Sequence, residues 1–178
     1  KYIDRPFPEH ISYDWGDTQR VQRWTGLMQN REVHTRDSFI EAQLDSVSPT
    51  ARALLPLIGA ELWFQSENAP ANTSLGRRQV ALELLANWNG EMNEHLPEPL
   101  IYAAWIRALQ IRLIEDELGP LHERFSQVGP LFNEKVYRDI AGARQWCDVA
   151  QSTRVETCAK IARLALDDAL AGLEKTYG

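Results

Sequence analysis

The densest apolar stretch in the chain covers residues 79–119 and reads QVALELLANWNGEMNEHLPEPLIYAAWIRALQIRLIEDELG. It contains two apolar segments of helical spacing that are separated by a short polar turn. The first segment ends at Trp88-Asn89-Gly90, and the second begins at Pro97 and runs to Leu118. Both are too rich in aromatic and aliphatic residues for a solvated linker. We therefore expect this pair of helices, called the spine below, to lie at the centre of the core.

Several helix starts and one interruption are predicted by local signals. Side chains that can accept a hydrogen bond from the free N–H groups of a first helical turn mark starts, and a proline at the first helical position strengthens the signal. Pro56 lies inside a helical pattern, where we expect a kink or a break. The predicted starts are Asp17, Thr35, Ser48 followed by Pro49, and a capping box made by Thr153 and Glu156.

Apolar residues recur at steps of three and four along most of the chain, and each such stripe predicts one buried helix face. Residues 133–143 are expected to form one helix of this kind. Gly90 is expected to adopt a left-handed conformation after the first spine helix. The predicted stripes are Val21, Trp24 and Leu27 or Met28; Phe39, Ile40, Leu44 and Val47; Ala51, Leu54, Leu55, Ile58 and Leu62; Leu82, Leu85 and Trp88; Ile101, Ala104, Trp105, Ala108 and Ile111 or Arg112; Phe132, Val136 and Ile140; and Cys158, Ile161 or Ala162, Ala165, Ala169 and Leu173.

The fold class follows from these patterns. No strand-like alternation and no internal repeat interrupts the helical spacing, so the sequence predicts an all-α, irregular helical domain of about seven or eight helices. We expect residues 1–178 to form a single domain, with residues 1–13 as an extended lead-in. Because the chain begins abruptly with Lys1, we also expect it to be a piece of something longer.

Charge and hydropathy exclude two classes of partner. The formal net charge is −6, and there is no basic stripe of the kind that neutralises phosphates, so nucleic acid is not an expected partner. No apolar run approaches the roughly 20 residues that a membrane-spanning helix needs. We therefore expect no membrane span.

The two cysteines leave two alternatives open. Cys147 and Cys158 can form a disulfide or remain buried free thiols, and the residues alone favour neither. A bridge would join a loop to the first turn of the last helix and would stabilise the fold by about 2–3 kcal/mol in the chain-entropy model. A metal site is not expected, because no histidine or second cysteine pair lies at ligand spacing.

The residues by themselves indicate no catalytic constellation. The histidines are His10, His34, His95 and His122, and none lies beside a nucleophile in a recognisable motif. Serine and threonine residues occur mostly at caps and turns, where a structural role explains them. The six tryptophans lie at helical spacing, which is more typical of core anchors than of a ligand cage.

Four stretches nevertheless resemble the penicillin acylase (penicillin amidase) family of N-terminal nucleophile hydrolases, which includes acyl-homoserine lactone acylases. Residues 11–21, ISYDWGDTQRV, resemble the family's Trp-Gly…Arg-Val segment, and residues 42–57, AQLDSVSPTARALLPL, are similar to a helix pair of the family. Residues 84–90, LLANWNG, with the later Ala104-Trp105, look like its "L…W-[DN]-G…W" signature. Residues 165–178, ALDDALAGLEKTYG, resemble its last helix. The order and spacing of these four stretches resemble those of the family over nearly the whole chain.

This resemblance implies the helical part of a β chain, excised at both ends from a larger α+β enzyme. In the family, a precursor cuts itself to free an N-terminal Ser, which attacks an amide carbonyl with its own α-amino group as base, and an Asn side chain helps to form the oxyanion hole. The implied reaction is hydrolysis of an amide between an acyl group and an amine, such as a β-lactam side chain or an acyl-homoserine lactone. The nucleophile and the Asn are expected outside this chain, so the chain alone should be inactive. The alternative is a non-catalytic helical interaction or scaffold module.

The resemblance also implies roles for particular residues. Arg20 occupies the position of the arginine that supports the oxyanion Asn, and Glu9 lies where one branch of the family carries an Asp that binds a structural calcium. Cys147 and Cys158 match a bridged pair of some bacterial members, which implies a disulfide and a periplasmic or secreted location.

The expected partners follow from the same resemblance. They are the α chain and the sheet part of the β chain of the same precursor, and an amide substrate for the whole enzyme. No cofactor is expected for catalysis. Apolar faces left uncovered by the missing sheet could pair the isolated chain into dimers.

Overall fold

The helix α5, Pro97–Leu118, is the element around which the chain packs. The computed structural model describes residues 18–63, 69, 70, 72–125, 127 and 129–177. Trp105, Leu109 and Leu113 in α5 are fully buried. Its most extensive contacts are with the last helix, α7, Cys158–Tyr177. The Trp105 indole Nε1 donates a hydrogen bond to the Ala162 carbonyl oxygen at 2.8 Å, so the largest core side chain also has its polar atom satisfied.

The described residues form seven α-helices and two 3-10 segments, and they contain no β-strand. One isolated antiparallel bridge joins Val47 to Glu91. The prediction of an all-α fold is therefore confirmed. The helices are α1 Gln19–Gln29, α2 Arg36–Leu44, α3 Pro49–Ile58, α4 Ser74–Asn87, α5 Pro97–Leu118, α6 Pro130–Tyr137 and α7 Cys158–Tyr177, with 3-10 segments at Gly119–Phe125 and Ile140–Cys147.

The spine prediction is confirmed, although α7 shares the central position. In α4, Leu82 and Leu85 are buried, and this helix contacts both α5 and α7. Arg78 of α4 donates two hydrogen bonds to Asp167 of α7, with Nε to Oδ1 at 2.7 Å and Nη2 to Oδ2 at 2.9 Å. In the predicted stripe of α5, Ile101 and Trp105 are buried and Ala104, Ala108 and Ile111 are half-buried. The helix also buries residues outside that stripe, because elements pack against it from several sides. The additional buried residues are Tyr102, Ile106, Leu109, Gln110, Leu113 and Ile114.

Helix α3 begins and packs as predicted. The Ser48 hydroxyl accepts a hydrogen bond from the Ala51 N–H at 3.1 Å, and Pro49 follows it. The helix does not break at Pro56, since it continues through this residue to Ile58 and ends at Gly59. The proline is exposed and lies close to the end of the helix, so it costs one backbone hydrogen bond without a clash in the core. The predicted face of Ala51, Leu54, Leu55, Ile58 and Leu62 is buried.

The predicted buried faces of α1 and α2 are wrong. The described residues cover them only in part, so Trp24 is 44% exposed, Phe39 48% and Leu44 75%. The buried residues are instead Gln19 and Ser38. Helix α1 begins after Thr18, and the predicted cap Asp17 lies outside the described residues.

The cap prediction for α2 is confirmed at Thr35. Its hydroxyl accepts a hydrogen bond from the Ser38 N–H at 3.2 Å, and the Thr35 N–H donates to the Ser38 hydroxyl at 3.0 Å. Ser38 is buried because it completes this reciprocal cap, not because it belongs to the apolar stripe.

The helix predicted for residues 133–143 is shorter in the structure. Helix α6 ends at Tyr137, and the backbone turns at Asp139, Ala141 and Gly142, where φ is 54°, 57° and 77°. These left-handed conformations cannot continue an α-helix. Val136 is fully buried as predicted, whereas Ile140 is 49% exposed.

Candidate functional site

A cleft of about 480 Å³ lies between α1, α2 and the beginning of α3. Arg20 lines it from the first turn of α1, and Thr50 lines it from α3. The bridge between Val47 and Glu91 fixes the segment that leads into α3, since the Ser48 N–H donates to the Gly90 carbonyl oxygen at 2.8 Å. The start of α3, which forms one wall of the cleft, is therefore tied to the turn that follows α4.

An ion pair crosses this cleft between α1 and the end of α2. Arg23 donates from Nε to Oδ2 of Asp45 at 2.9 Å and from Nη2 to Oδ1 at 2.6 Å. The two hydrogen bonds from Arg23 hold the pKa of the Asp45 carboxyl below its ordinary value. The same hydrogen bonds to Asp45 also raise the pKa of the Arg23 guanidinium. Sequence reasoning missed this pair, because 22 residues separate its members and no local pattern links them.

Arg20 differs from Arg23 in its surroundings. Its side chain is exposed in the cleft, and no described residue forms a hydrogen bond or an ion pair with it. A guanidinium in this state can still donate two parallel hydrogen bonds to an amide or carboxylate oxygen. The other predicted site residue of this region, Glu9, lies outside the described residues.

The disulfide between Cys147 and Cys158 is formed, with its Cα atoms 5.0 Å apart. It closes the loop between the second 3-10 segment and α7. The Tyr137 hydroxyl donates a hydrogen bond to the Cys158 carbonyl oxygen at 3.0 Å, and burial raises the pKa of this tyrosine. The start of α7 is thus held by a covalent bond and by a partly buried hydrogen bond.

The capping box predicted at Thr153 and Glu156 is wrong. Helix α7 begins at Cys158, and the Thr157 hydroxyl accepts from the Lys160 N–H at 3.2 Å. The Glu156 carboxylate instead accepts from the Val149 N–H at 3.3 Å and from Lys160 Nζ at 3.1 Å. The hydrogen bond from Lys160 is the main reason that the pKa of Glu156 is lowered.

The acidic end of α5 holds the same loop from the other side. Asp116 Oδ2 accepts from the Ala150 N–H at 2.8 Å, and the Asp116 carbonyl oxygen accepts from Gln151 Nε2 at 3.2 Å. A negative side chain at a helix C-terminus is disfavoured by the helix dipole. Here this unfavourable interaction is offset by direct hydrogen bonds from the disulfide-closed loop to Asp116.

Groups with catalytic potential remain apart in the part of the chain that the structure describes. His34 stacks against Phe39, His95 lies beside Glu94 on the surface, and His122 Nδ1 contacts the Gly119 carbonyl oxygen at 2.8 Å. No histidine there is hydrogen-bonded to a serine, threonine or cysteine side chain. The described residues also contain no group of three or more His, Cys, Asp or Glu side chains that could hold a metal ion. None of the described helices has both the length and the apolarity to cross a bilayer.

The fold and the site together define an all-helical domain with an available arginine in a cleft and a loop closed by a disulfide. Its described residues present no nucleophile paired with a base. The chain matches the penicillin amidase family over residues 1–178, its whole length, and it belongs to that family. No curated protein matches it.

Proposed function

We propose that this chain is the helical part of the β chain of an amidohydrolase that cleaves an amide between an acyl group and an amine. The observation that carries the proposal is the match to the penicillin amidase family over residues 1–178. The substrates to test are acyl side chains of β-lactams and acyl-homoserine lactones. The chain alone would be inactive, because the Ser nucleophile and the oxyanion Asn would come from other parts of the precursor.

In this proposal Arg20 is a positioning residue. It would donate hydrogen bonds to the side-chain oxygen of the oxyanion Asn and so orient the amide N–H towards the developing negative charge. Two features support the assignment: Arg20 lines the cleft, and it is engaged by no described residue. Arg23, one turn further along, is already committed to Asp45.

The decisive experiment uses the full-length protein and the variants Arg20→Ala and Arg36→Ala. Arg36 is a suitable control because it is also exposed, begins α2 and forms no hydrogen bond or ion pair with a described residue. Amine release would be measured with phenylacetyl amides and long-chain acyl-homoserine lactones. Arg20→Ala should lower kcat by about 10–100-fold with little change in KM, because the lost support acts mainly in the transition state.

Unchanged turnover of a folded Arg20→Ala protein would refute this role for Arg20. A full-length protein that processes itself but cleaves neither substrate would keep the amidohydrolase proposal and exclude both substrates. The upstream gene sequence is the cheapest way to decide between the acylase proposal and the scaffold alternative. If no Ser-initiated β chain with a later Asn precedes Lys1, the acylase proposal fails.

We also propose that the protein folds in the periplasm or outside the cell. The bond between Cys147 and Cys158 supports this, because disulfides persist in oxidising compartments. Alkylation of protein from intact cells without reductant should label neither cysteine. Two labelled thiols would contradict the proposal.

A structural calcium in the whole enzyme, with Glu9 as one ligand, stays a prediction. The described residues supply no ligand cluster for it, so no catalytic step is assigned to calcium. A calcium-dependent rise in melting temperature that Glu9→Gln abolishes would support the site. Equal melting temperatures of the wild-type protein with calcium and with chelator would exclude it.

A further inference from the structure

A second concave site lies between α3 and the turn that follows α4, and none of its lining residues lines the Arg20 cleft. It is a pocket of about 340 Å³, at the lower end of the range of ligand pockets. Its walls are mostly apolar and include Leu55, Leu85 and the two indoles of Trp63 and Trp88. Such walls favour a small aromatic or branched aliphatic group.

Both indoles are held in place. The Trp88 Nε1–H donates to the Glu91 carbonyl oxygen at 2.9 Å, and the Trp88 ring contacts Tyr102 with the ring centroids 5.5 Å apart. The Trp63 ring lies directly against the backbone of Gly59, where a side-chain carbon would collide with it. The two rings are therefore preorganised and would lose little conformational entropy on binding a ligand.

One cation lines this apolar pocket. Arg52 extends across the turn after α4, and its Nε donates to the Asn89 carbonyl oxygen at 2.8 Å. The approach favours glycine at position 90, because Gly90 has a φ of +85° and a Cβ there would lie 3.0 Å from Arg52 Cγ. The turn thus holds the guanidinium by one hydrogen bond.

The charge of Arg52 is not neutralised by a contact. Neither of its Nη atoms bonds to a described residue, and the nearby carboxylate of Asp45 is taken by Arg23. The exposed guanidinium keeps donors for a planar anion next to an apolar wall. A carboxylate attached to a small apolar body matches both features.

We propose that this pocket binds an amphipathic monocarboxylate, whose aryl or short alkyl body lies between Trp63 and Trp88 and whose carboxylate is bound by Arg52. The site is separate from the Arg20 cleft, and the proposal does not rest on the amidohydrolase function.

The test uses the full-length protein labelled with 5-fluorotryptophan and followed by fluorine NMR. The signals of Trp63 and Trp88 are assigned with Trp63→Phe and Trp88→Phe. The probes are 3-phenylpropanoate and its neutral counterpart 3-phenylpropanamide, which differ only at the group expected to meet Arg52. We expect saturable shifts of both signals with the carboxylate and about tenfold weaker binding of the amide, since a charged hydrogen bond is lost.

Three variants separate the contributions. Arg52→Gln should weaken binding of the carboxylate probe about tenfold and leave binding of the amide probe unchanged. Arg107→Gln is the matched control, because Arg107 is exposed on α5 and outside the pocket, and it should bind both probes as the wild type does. Gly59→Ala should displace the Trp63 ring and weaken both probes alike.

The proposal is overturned by any of three results. The first is an absence of shifts at Trp63 and Trp88 at millimolar probe, which would mean that the pocket is covered or closed in the whole protein. The second is equal affinities for the acid and the amide. The third is an Arg52→Gln protein that binds the carboxylate as well as the wild type does.

Discussion

Two arginines one turn apart in α1 show how differently neighbouring residues can be used. Arg23 is bound by both carboxylate oxygens of Asp45, with side chains 29% and 15% exposed, whereas Arg20 is exposed and without a described partner. The first therefore contributes to the position of α1 against the end of α2. The second retains its donors, which is the property that the proposed role requires.

The pair of Arg23 and Asp45 predicts a pH-dependent stability. Because the pKa of Asp45 is lowered in the folded state, its contribution is fully present above the unfolded pKa, close to the ordinary value of 3.8, and is lost as the pH falls through the lower folded pKa. Asp45→Asn should lower the free energy of unfolding by about 1 kcal/mol at pH 7, and this difference should vanish in strong acid. Urea denaturation at a series of pH values measures both the destabilisation at pH 7 and its loss in strong acid.

A matched control is provided by the pair of Arg31 and Glu41, whose side chains are 47% and 65% exposed. Glu41→Gln should change the free energy of unfolding by only a few tenths of a kcal/mol, because solvent screens such pairs. A destabilisation by Asp45→Asn that is the same at pH 7 and in strong acid would show that the charge of Asp45 is not its cause.

At the scale of elements, local cap chemistry predicts helix starts well where no tertiary contact competes for the capping group. Thr35 and Ser48 cap α2 and α3 as expected. The box predicted at Thr153 does not form, because Glu156 is engaged by Val149 and Lys160 and α7 begins only at Cys158. Thr157 then becomes the cap.

The true cap of α7 can be identified by comparing two threonines four positions apart. Thr157→Ala should destabilise the protein by about 1 kcal/mol, since it removes the acceptor of the Lys160 N–H. Thr153→Ala should be close to neutral, because Thr153 is exposed and outside the helix. Thermal denaturation with the disulfide intact gives the comparison, and equal losses in the two variants would contradict the assignment.

At the scale of the whole molecule, burial is uneven among the described residues. The core is formed mainly by α3, α4, α5 and α7, with Val136 of α6 and Cys147, whereas α1, α2 and the segment between them expose large apolar side chains. Val33 and Leu44 are 76% and 75% exposed. We propose that the rest of the precursor covers this surface in the whole enzyme.

Self-association of the isolated chain follows from that proposal. The 178-residue chain should form dimers at micromolar concentration, and Leu44→Glu should shift it towards monomer, because a charge is then placed on the exposed apolar surface. Val155→Glu is the control, since Val155 is 83% exposed on the disulfide-closed loop. Sedimentation velocity measures the shift, and a chain that is monomeric throughout would contradict the prediction.

The sequence by itself determined the all-α class, the spine, the buried face of α3 and most of the buried face of α7. These features depend on apolar spacing and cap residues within one helix, which act locally. It also carried the family motifs, whereas it left the two cysteines undecided between a bridge and free thiols.

Only the tertiary structure decided which helix faces are covered and which charged groups meet. The stripes of α1 and α2 have the spacing of buried faces, but spacing does not supply the element that would cover them. Arg23 and Asp45 meet across 22 positions, and the pocket of Trp63, Trp88 and Arg52 joins residues from separate turns. Contacts between residues distant in the chain depend on packing, which local patterns do not encode.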